Sequence, residues 1–594
     1  MNNQQDIDFI LGVIGSEPTE ETAATMNALA AAGDFPNPPE QPFSPFIKED
    51  LDRAIAAFEE MKAHAEALRA QGIDHDAVIR DVIAMATRKA METSEPDLVK
   101  YALLLFMTHD DSGRTVKIPS LMRRTYSNEA GSVGIGIDGA PHLGGSTTSS
   151  EEDKINWFRE DILANEHHEH WHLVYNSRSG RQRHGELFFY MHQQMLARYD
   201  SERMAEDMGR VKPFNDYRSS IEVGYDTSNI VIGGRIYPGR PAGLSWNAGN
   251  IPWMENRRSE HNALITNGGL TGKEGNDVLG SELEYGVHGN GHMLTARILG
   301  GAPGVMANTA TAIRDPIFWR WHKHIDNFNI RYQDTQPPND FSDAPVGVTF
   351  NGASSTREES LSLIGDAGET DTIFTELRTS VFRFTNGAAY NYDHLWREPF
   401  NYGFSLNVAG GAPSRVTIRV FICPRTPGLP MDQDLQLNDR ALWIEMDKFV
   451  QDTPPGAQQI TRSDTESSVI RRPAELPTDI QDGTQNTGGV HSVNCDCGWP
   501  YHMLLPRGTA NGMTFALFVM ATDWNHDHVQ QPGSCGSMSF CGAAGAEYPD
   551  ERAMGYPFDR PFAGGSLVDI VSQNPNMAIR DFTIKTRPST EVDT

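Results

Sequence analysis

His167-His168-Glu169-His170-Trp171-His172 is the stretch on which the reading of this chain turns. A helix makes one turn in about 3.6 residues, so positions four apart share a face. His168 and His172 therefore point one way, while His167 and His170 point elsewhere. The spacing recurs in His288-Gly289-Asn290-Gly291-His292. Two further histidines stand in apolar, helix-like surroundings: His192 in Phe188-Phe-Tyr-Met-His192, and His322 at the end of Asp315-Pro-Ile-Phe-Trp-Arg-Trp-His322. His192 makes a third ligand for the first pair and His322 for the second. Two three-histidine sets on four helices can hold two metal ions face to face. Imidazole suits copper and zinc alike, so ligand type leaves the metal open between zinc and a copper pair. His184 and His324 lie off these faces and, with His167 and His170, read as packing residues.

Outward from these motifs, the texture of the chain divides it. With 594 residues the sequence exceeds one hydrophobic core and predicts about three domains. Lys48 to Gly72 and Asp74 to Met91 carry apolar residues at three-four spacing and read as helices. A Gly/Ser/Thr-rich interval from Gly131 to Ser150 reads as a linker. Helical character returns from Glu151 to about Asp334 and contains all the histidine motifs. Beyond Pro337 short alternating runs take over, such as Ser414-Arg-Val-Thr-Ile-Arg-Val-Phe-Ile and Met513-Thr-Phe-Ala-Leu-Phe-Val, separated by Pro/Gly turns. These predict an antiparallel sandwich. The fold class is multidomain α + β: an N-terminal helical domain (1–150), a central metal-binding helical bundle (151–340) and a C-terminal β-sandwich (341–594).

Composition excludes some partners. A net charge of -29 argues against nucleic acid or an anionic membrane. The longest apolar runs fall short of the roughly 18 residues a spanning helix requires. The N-terminus, Met1-Asn-Asn-Gln-Gln-Asp, lacks a basic stretch followed by an apolar core, which predicts an intracellular, cytoplasmic protein. Of the five cysteines, Cys495, Cys497, Cys535 and Cys541 cluster, and their spacing fits a zinc ribbon poorly. Two disulfides fit better, against the grain of a reducing compartment. Cys423 reads as a buried thiol.

At this point the residues carry a resemblance. Phe158-Arg-Glu-Asp-Ile, His167-His-Glu-His-Trp-His-Leu-Val-Tyr, Gly185-Glu-Leu-Phe-Phe-Tyr-Met-His-Gln-Gln, Arg314-Asp-Pro-Ile-Phe-Trp-Arg-Trp-His, Cys495-Asp-Cys-Gly-Trp-Pro and Met554-Gly-Tyr-Pro-Phe-Asp-Arg-Pro follow the order of the arthropod hemocyanin and prophenoloxidase family. The resemblance implies a central four-helix bundle and an immunoglobulin-like C-terminal sandwich. It implies one metal set of His168, His172 and His192 and a second of His288, His292 and His322. It also implies Cys495–Cys535 and Cys497–Cys541 bridges, a homo-oligomer, and a phenylalanine plugging the site. In Phe43-Ser-Pro-Phe46 that plug would be Phe46.

The departures from the family shape the functional reading. An aromatic residue usually stands where this chain has Glu169, and the change creates His168-Glu169-His-Trp-His172, an H-E-x-x-H match with Glu169 as candidate general base. A salt bridge or a bond to a ligand histidine is the competing role for Glu169. Asn290 is shifted by one position and flanked by glycines, each costing about 1 kcal/mol of helix stability against Ala. Space above the second metal or close helix packing would account for them. Tyrosinase-like members place a carboxylate near the second metal set, whereas here only Asp315 lies between His292 and His322, in a turn that reads as structural, and Asn308 cannot act as a base. Trp171 and Tyr175 read as core or as a frame for an aromatic substrate.

Three readings follow. The first resembles the hemocyanin-like cyclopenases of fungal quinolone biosynthesis: a zinc-dependent, lyase-like enzyme of secondary metabolism acting on a small aromatic lactam. The second is a di-copper phenol or o-aminophenol oxidase. The third is an O2 carrier.

Overall fold

The computed structural model describes residues 3–13, 16–32, 42–125, 140, 142–176, 183–228, 230–232, 235–383, 389–470, 498–529 and 549–592. Cys495, Cys497, Cys535 and Cys541 lie outside the described residues. Cys423 is a buried thiol in the sandwich.

The chain begins with two short helices, Asn3–Ile10 and Glu20–Ala32, followed by α1 (Lys48–Ala70), α2 (His75–Thr93) and α3 (Pro96–His109). Glu49 and Asp50 in the first turn of α1 oppose the positive end of its dipole. Asp74 caps α2 by accepting from the Ala77 amide. Pro96 starts α3, whose run Leu98 to Met107 is almost wholly apolar and buried. These helices enclose a core of their own, which meets the next layer through Leu173 and Tyr285.

The central bundle comprises α4 (Ile162–Val174), α5 (His184–Ala205), α6 (Ile251–Thr266), α7 (Gly272–Leu283), α8 (Gly289–Ala296) and α9 (Pro316–Asp334). Asp161 caps α4 through the Ala164 amide, and Asp315 caps α9 through the Ile317 amide with Pro316 at the first position. Between α7 and α8 the chain makes a π turn, Glu284–His288, broken at Gly286 (φ -102°, ψ -107°). Such insertions re-aim side chains and concentrate at functional sites.

The sandwich is built from β1 (Val348–Phe350), β2 (Leu361–Gly365), β3 (Thr372–Arg383), β4 (Ala389–Arg397), β5 (Phe400–Val408), β6 (Arg415–Pro424), β7 (Ile444–Asp452), β8 (Gly456–Ser463), β9 (Met513–Asp523) and β10 (Met577–Val592). One sheet has the order β7-β6-β9-β10-β3-β4, the other β8-β5-β1 with β2 also on β5. In β5 the side chains Phe400, Tyr402, Phe404, Leu406 and Val408 point alternately inward, as a half-buried strand requires. The expected antiparallel pairing holds except at β10, which runs parallel to β3 with Ile584 opposite Ile373. Alternation reports which face is buried and not the direction of a neighbour, so this pairing was invisible in the sequence. Bundle and sandwich share one continuous core, including Trp171, Trp319, Trp321 and Trp499. No helix among the described residues is long and apolar enough to cross a membrane.

Candidate metal centre

The bundle brings all six predicted histidines to one point. His168 and His172 project from α4, His192 from α5, His288 from the π turn, His292 from α8 and His322 from α9. Ring centroids lie 4.8 Å apart for His168–His172, 5.5 Å for His168–His192, 4.6 Å for His288–His292 and 5.2 Å for His292–His322. His322 sits between the two halves. It stacks on His192 at 4.5 Å, and its Nε2 is 3.0 Å from that of His288. The tightest triplets of ligand atoms are accordingly His168/His192/His322 and His288/His292/His322, with His172 set slightly back from the first. That differs from the even three-and-three division implied by family resemblance. The His192–His322 stack accompanies this grouping and joins the two halves.

Each ring is aimed from behind. The Nδ1–H groups donate to backbone carbonyls: His168 to Thr309 (2.7 Å), His192 to Phe188 (2.8 Å), His288 to Glu284 (3.0 Å), His292 to Met306 (2.9 Å) and His322 to Phe318 (2.8 Å). His172 differs, its Nδ1 facing the carboxylate of Glu284 at 3.6 Å. This arrangement fixes the tautomer and turns every Nε2 lone pair toward the centre. The Nε2 atoms of His168, His172, His192 and His292 are buried without a hydrogen-bond partner. A buried polar atom left unpaired costs about 1–3 kcal/mol, and folds rarely leave several together.

Burial, the largest influence on each ring, disfavours the charged imidazolium. It holds His168 down to about 4 and His288 to about 3, and places the other four well below the ordinary histidine value. Neutral imidazoles with inward lone pairs are the form that binds copper or zinc, so the residues present fit such an ion.

Phe46 closes the centre from the N-terminal side. Its ring stacks on His292 at 3.8 Å and meets His172 and His288 edge-on. Ser44 anchors the segment, its hydroxyl donating to the Ala307 carbonyl at 2.7 Å. Outside Phe46 opens a cavity of about 690 Å³ lined by Ile47, Trp253, Tyr285, Asn290, Met293 and Arg297.

Other expectations need revision. Both oxygens of Glu169 are held bidentately by the buried guanidinium of Arg124, at 3.0 and 2.6 Å. The salt bridge is thus its role, and the H-E-x-x-H reading fails because Arg124 occupies the carboxylate that a general base would need. Gly289 and Gly291 do not widen the site. A Cβ at Gly289 would lie 2.4 Å from the Phe46 carbonyl oxygen and one at Gly291 2.1 Å from the Trp321 ring, so both glycines serve close packing. Asn290 is exposed and donates to the Gly286 carbonyl (2.8 Å), satisfying the broken turn. Asn308 closes a local turn by accepting from the Ala310 amide (2.9 Å), beside Glu169 rather than over the rings. Asp315, besides capping α9, is paired with Arg240 at 2.6 and 2.9 Å. Trp171 and Tyr175 stack on each other, fully buried in the core.

Two residues escaped the sequence reading. Glu284 is buried, with one oxygen toward His172 and the other bonded to His184 Nε2. His184, read as packing, is therefore part of the surroundings of the centre. The spacing from Glu284 to His288 carried no usable signal, because the intervening segment is a π turn and not a regular helix.

Six inward-facing imidazoles in a helical bundle joined to an immunoglobulin-like sandwich define a multi-histidine metal protein. Residues 79–279 and 282–329 match the family described as "Hemocyanin, copper containing domain", and residues 382–586 match "Hemocyanin, ig-like domain". The chain belongs to the hemocyanin family. It is 35% identical over 487 residues to hemocyanin F chain of Aphonopelma sp., covering 73% of this chain and 75% of that one. It is also 35% identical over 517 residues to phenoloxidase subunit 1 of Bombyx mori, covering 74% and 72%. Among solved structures, AsqI with Zn superposes with a TM-score of 0.69 at 22% identity, over 96% of this chain and 100% of that one, a likeness of fold.

Proposed function

We propose that the protein is a metal-dependent, lyase-like enzyme of secondary metabolism. Its reaction is the non-oxidative ring contraction of a small aromatic lactam, of the cyclopenin-to-viridicatin type, in which the excised ring atoms leave as small fragments, with zinc at the histidine centre. The observation that carries this reading is the disposition of the acids. Among the described residues no carboxylate makes an ion-pair contact with His288, His292 or His322: Asp315 is committed to Arg240 and Glu169 to Arg124. A phenol brought to that side meets no base able to take its proton, since proton transfer needs a group within about 3 Å. The lactam reaction does not begin with the loss of a phenol proton.

When bound, the metal would supply Lewis-acid polarisation of a carbonyl or epoxide oxygen. The chain's own residues do the rest. The backbone carbonyls behind five rings hold the imidazoles in register, and Phe46 keeps water off them until substrate displaces it. Trp253, Tyr285 and Met293 offer the outer cavity an aromatic and thioether wall for a flat substrate. The partners in this reading are small molecules, and the location intracellular.

A second reading has its own support. Five imidazoles in two triplets that share His322, with His172 beside the first, suit a copper pair, and oxidation of a catechol, unlike hydroxylation of a phenol, does without the missing base. The discriminating assay offers a cyclopenin-type benzodiazepinedione and a catechol to the purified protein, in air and under argon. The proposal expects lactam turnover of equal rate in both atmospheres and no quinone. Quinone formed only in air, with the lactam untouched, would overturn it in favour of the oxidase.

A further inference from the structure

Glu284 is the only carboxylate among the described residues that comes within ion-pair distance of any of the six inward rings. Its position is double-sided. Its backbone oxygen accepts from His288 Nδ1 at 3.0 Å, while its side chain faces His172 Nδ1 at 3.6 Å. One residue of the π turn thus backs a ring in each half of the centre, with the charge on one half only. The carboxylate is held from behind by the hydrogen bond from His184 Nε2 to Oε2. Its Oε1, buried and without a hydrogen-bond partner, is the atom that faces His172. The other five rings lean on neutral carbonyls.

We infer that Glu284, braced by His184, is the positioning residue of His172 and makes the metal position of the His168/His192/His322 triplet, which His172 completes from slightly behind, the more tightly held of two unequal positions. A carboxylate behind a ligand imidazole fixes its orientation and raises its donor strength, and loss of such a partner weakens metal binding about 10–100-fold. A peptide carbonyl has no net charge to contribute. The inference rests on the metal reading of the centre, and it makes the two halves chemically distinct.

The test is a titration of metal-free, full-length protein with zinc against a competing chromophoric chelator, followed by cobalt(II) substitution and its visible absorption. Wild type is expected to take up metal in two resolved steps. Glu284→Gln leaves the backbone contact to His288 intact and removes only the charge. It should weaken the tighter step about 10–100-fold, change the cobalt spectrum of that step, and leave the weaker step unaltered. His184→Gln, which still offers Glu284 a donor, should weaken the same step less, and it carries the test if Glu284→Gln does not fold. Melting curves of the metal-free variants separate loss of fold from loss of site. Unchanged steps in both variants, or equal weakening of both steps in a folded variant, would overturn the inference alone. A wild type that takes up neither zinc nor copper would overturn the metal reading and this inference with it.

Discussion

A buried polar cluster in the sandwich and another in the bundle are completed in opposite ways. In the sandwich Arg419 pairs with Asp550 and Asp527, Lys448 with Asp550, and Arg552 with Asp527, so each carboxylate meets its cations inside the protein. In the bundle four imidazole nitrogens point into a common space and have no hydrogen-bond partner in the protein. Buried charges are tolerable when paired, and buried lone pairs are tolerable when something binds them. The sandwich cluster thus pairs its charges within the fold, whereas the histidine cluster is arranged to bind a ligand. The difference separates a structural polar core from a functional one without appeal to which residue types are involved.

Substitutions can break that comparison, and the largest effect falls on the centre. His322 belongs to both ligand triplets, so His322→Gln should abolish loading at both positions, exceeding the 10–100-fold loss typical of outer partners. Metal analysis of the purified variant checks this, and its metal-free melting curve should match that of metal-free wild type. Next is Asp550→Asn, which leaves Arg419 and Lys448 underpaired and should cost about 3–5 kcal/mol while metal content stays unchanged. Burial alone would raise the pKa of Asp550, but Arg419 and Lys448 outweigh it and hold that pKa below the ordinary aspartate value of 3.8. The sign follows from linkage: its contribution is present above that value and lost as pH falls through the depressed one. The stability gap between wild type and Asp550→Asn should therefore be constant from pH 5 upward and narrow on acidification below about 4.

Stripping metal with a chelator should lower the melting point, by the equivalent of about 2.7 kcal/mol when free metal had stood at a hundred times its Kd. Asp550→Asn should retain that increment and His322→Gln should lack it. The smallest effect belongs to Asn290→Ala, which removes a partner of the Gly286 carbonyl. It should cost about 0.5–1.5 kcal/mol and leave both metal steps in place, marking Asn290 as a turn residue.

The contrast also explains what could be read from the sequence. The six histidines were legible because helical spacing is a local property: four of them come as two pairs four residues apart, and the remaining two stand in apolar, helix-like runs. Phe46 was legible through the family's segment order. The roles of Glu169 and the glycines were not, because their partners are remote in the chain. Arg124 precedes Glu169 by 45 residues, and Trp321 packs on Gly291 from another helix. Glu284 was hidden differently. It lies in a π turn, where helical phase no longer predicts direction, and its meaning depends on His172 and His184 meeting it from two other helices.

The central claim is that the histidine centre holds a metal and that its chemistry proceeds without O2. The direct measurement is metal content by plasma mass spectrometry on protein purified without added metal, with absorption spectra taken in air and under argon. The account predicts zinc, held first at the tighter position, and spectra identical in the two atmospheres. Two coppers per chain, with intense near-ultraviolet absorption that appears in air and fades under argon, would contradict it and make the protein an O2-using member of its family.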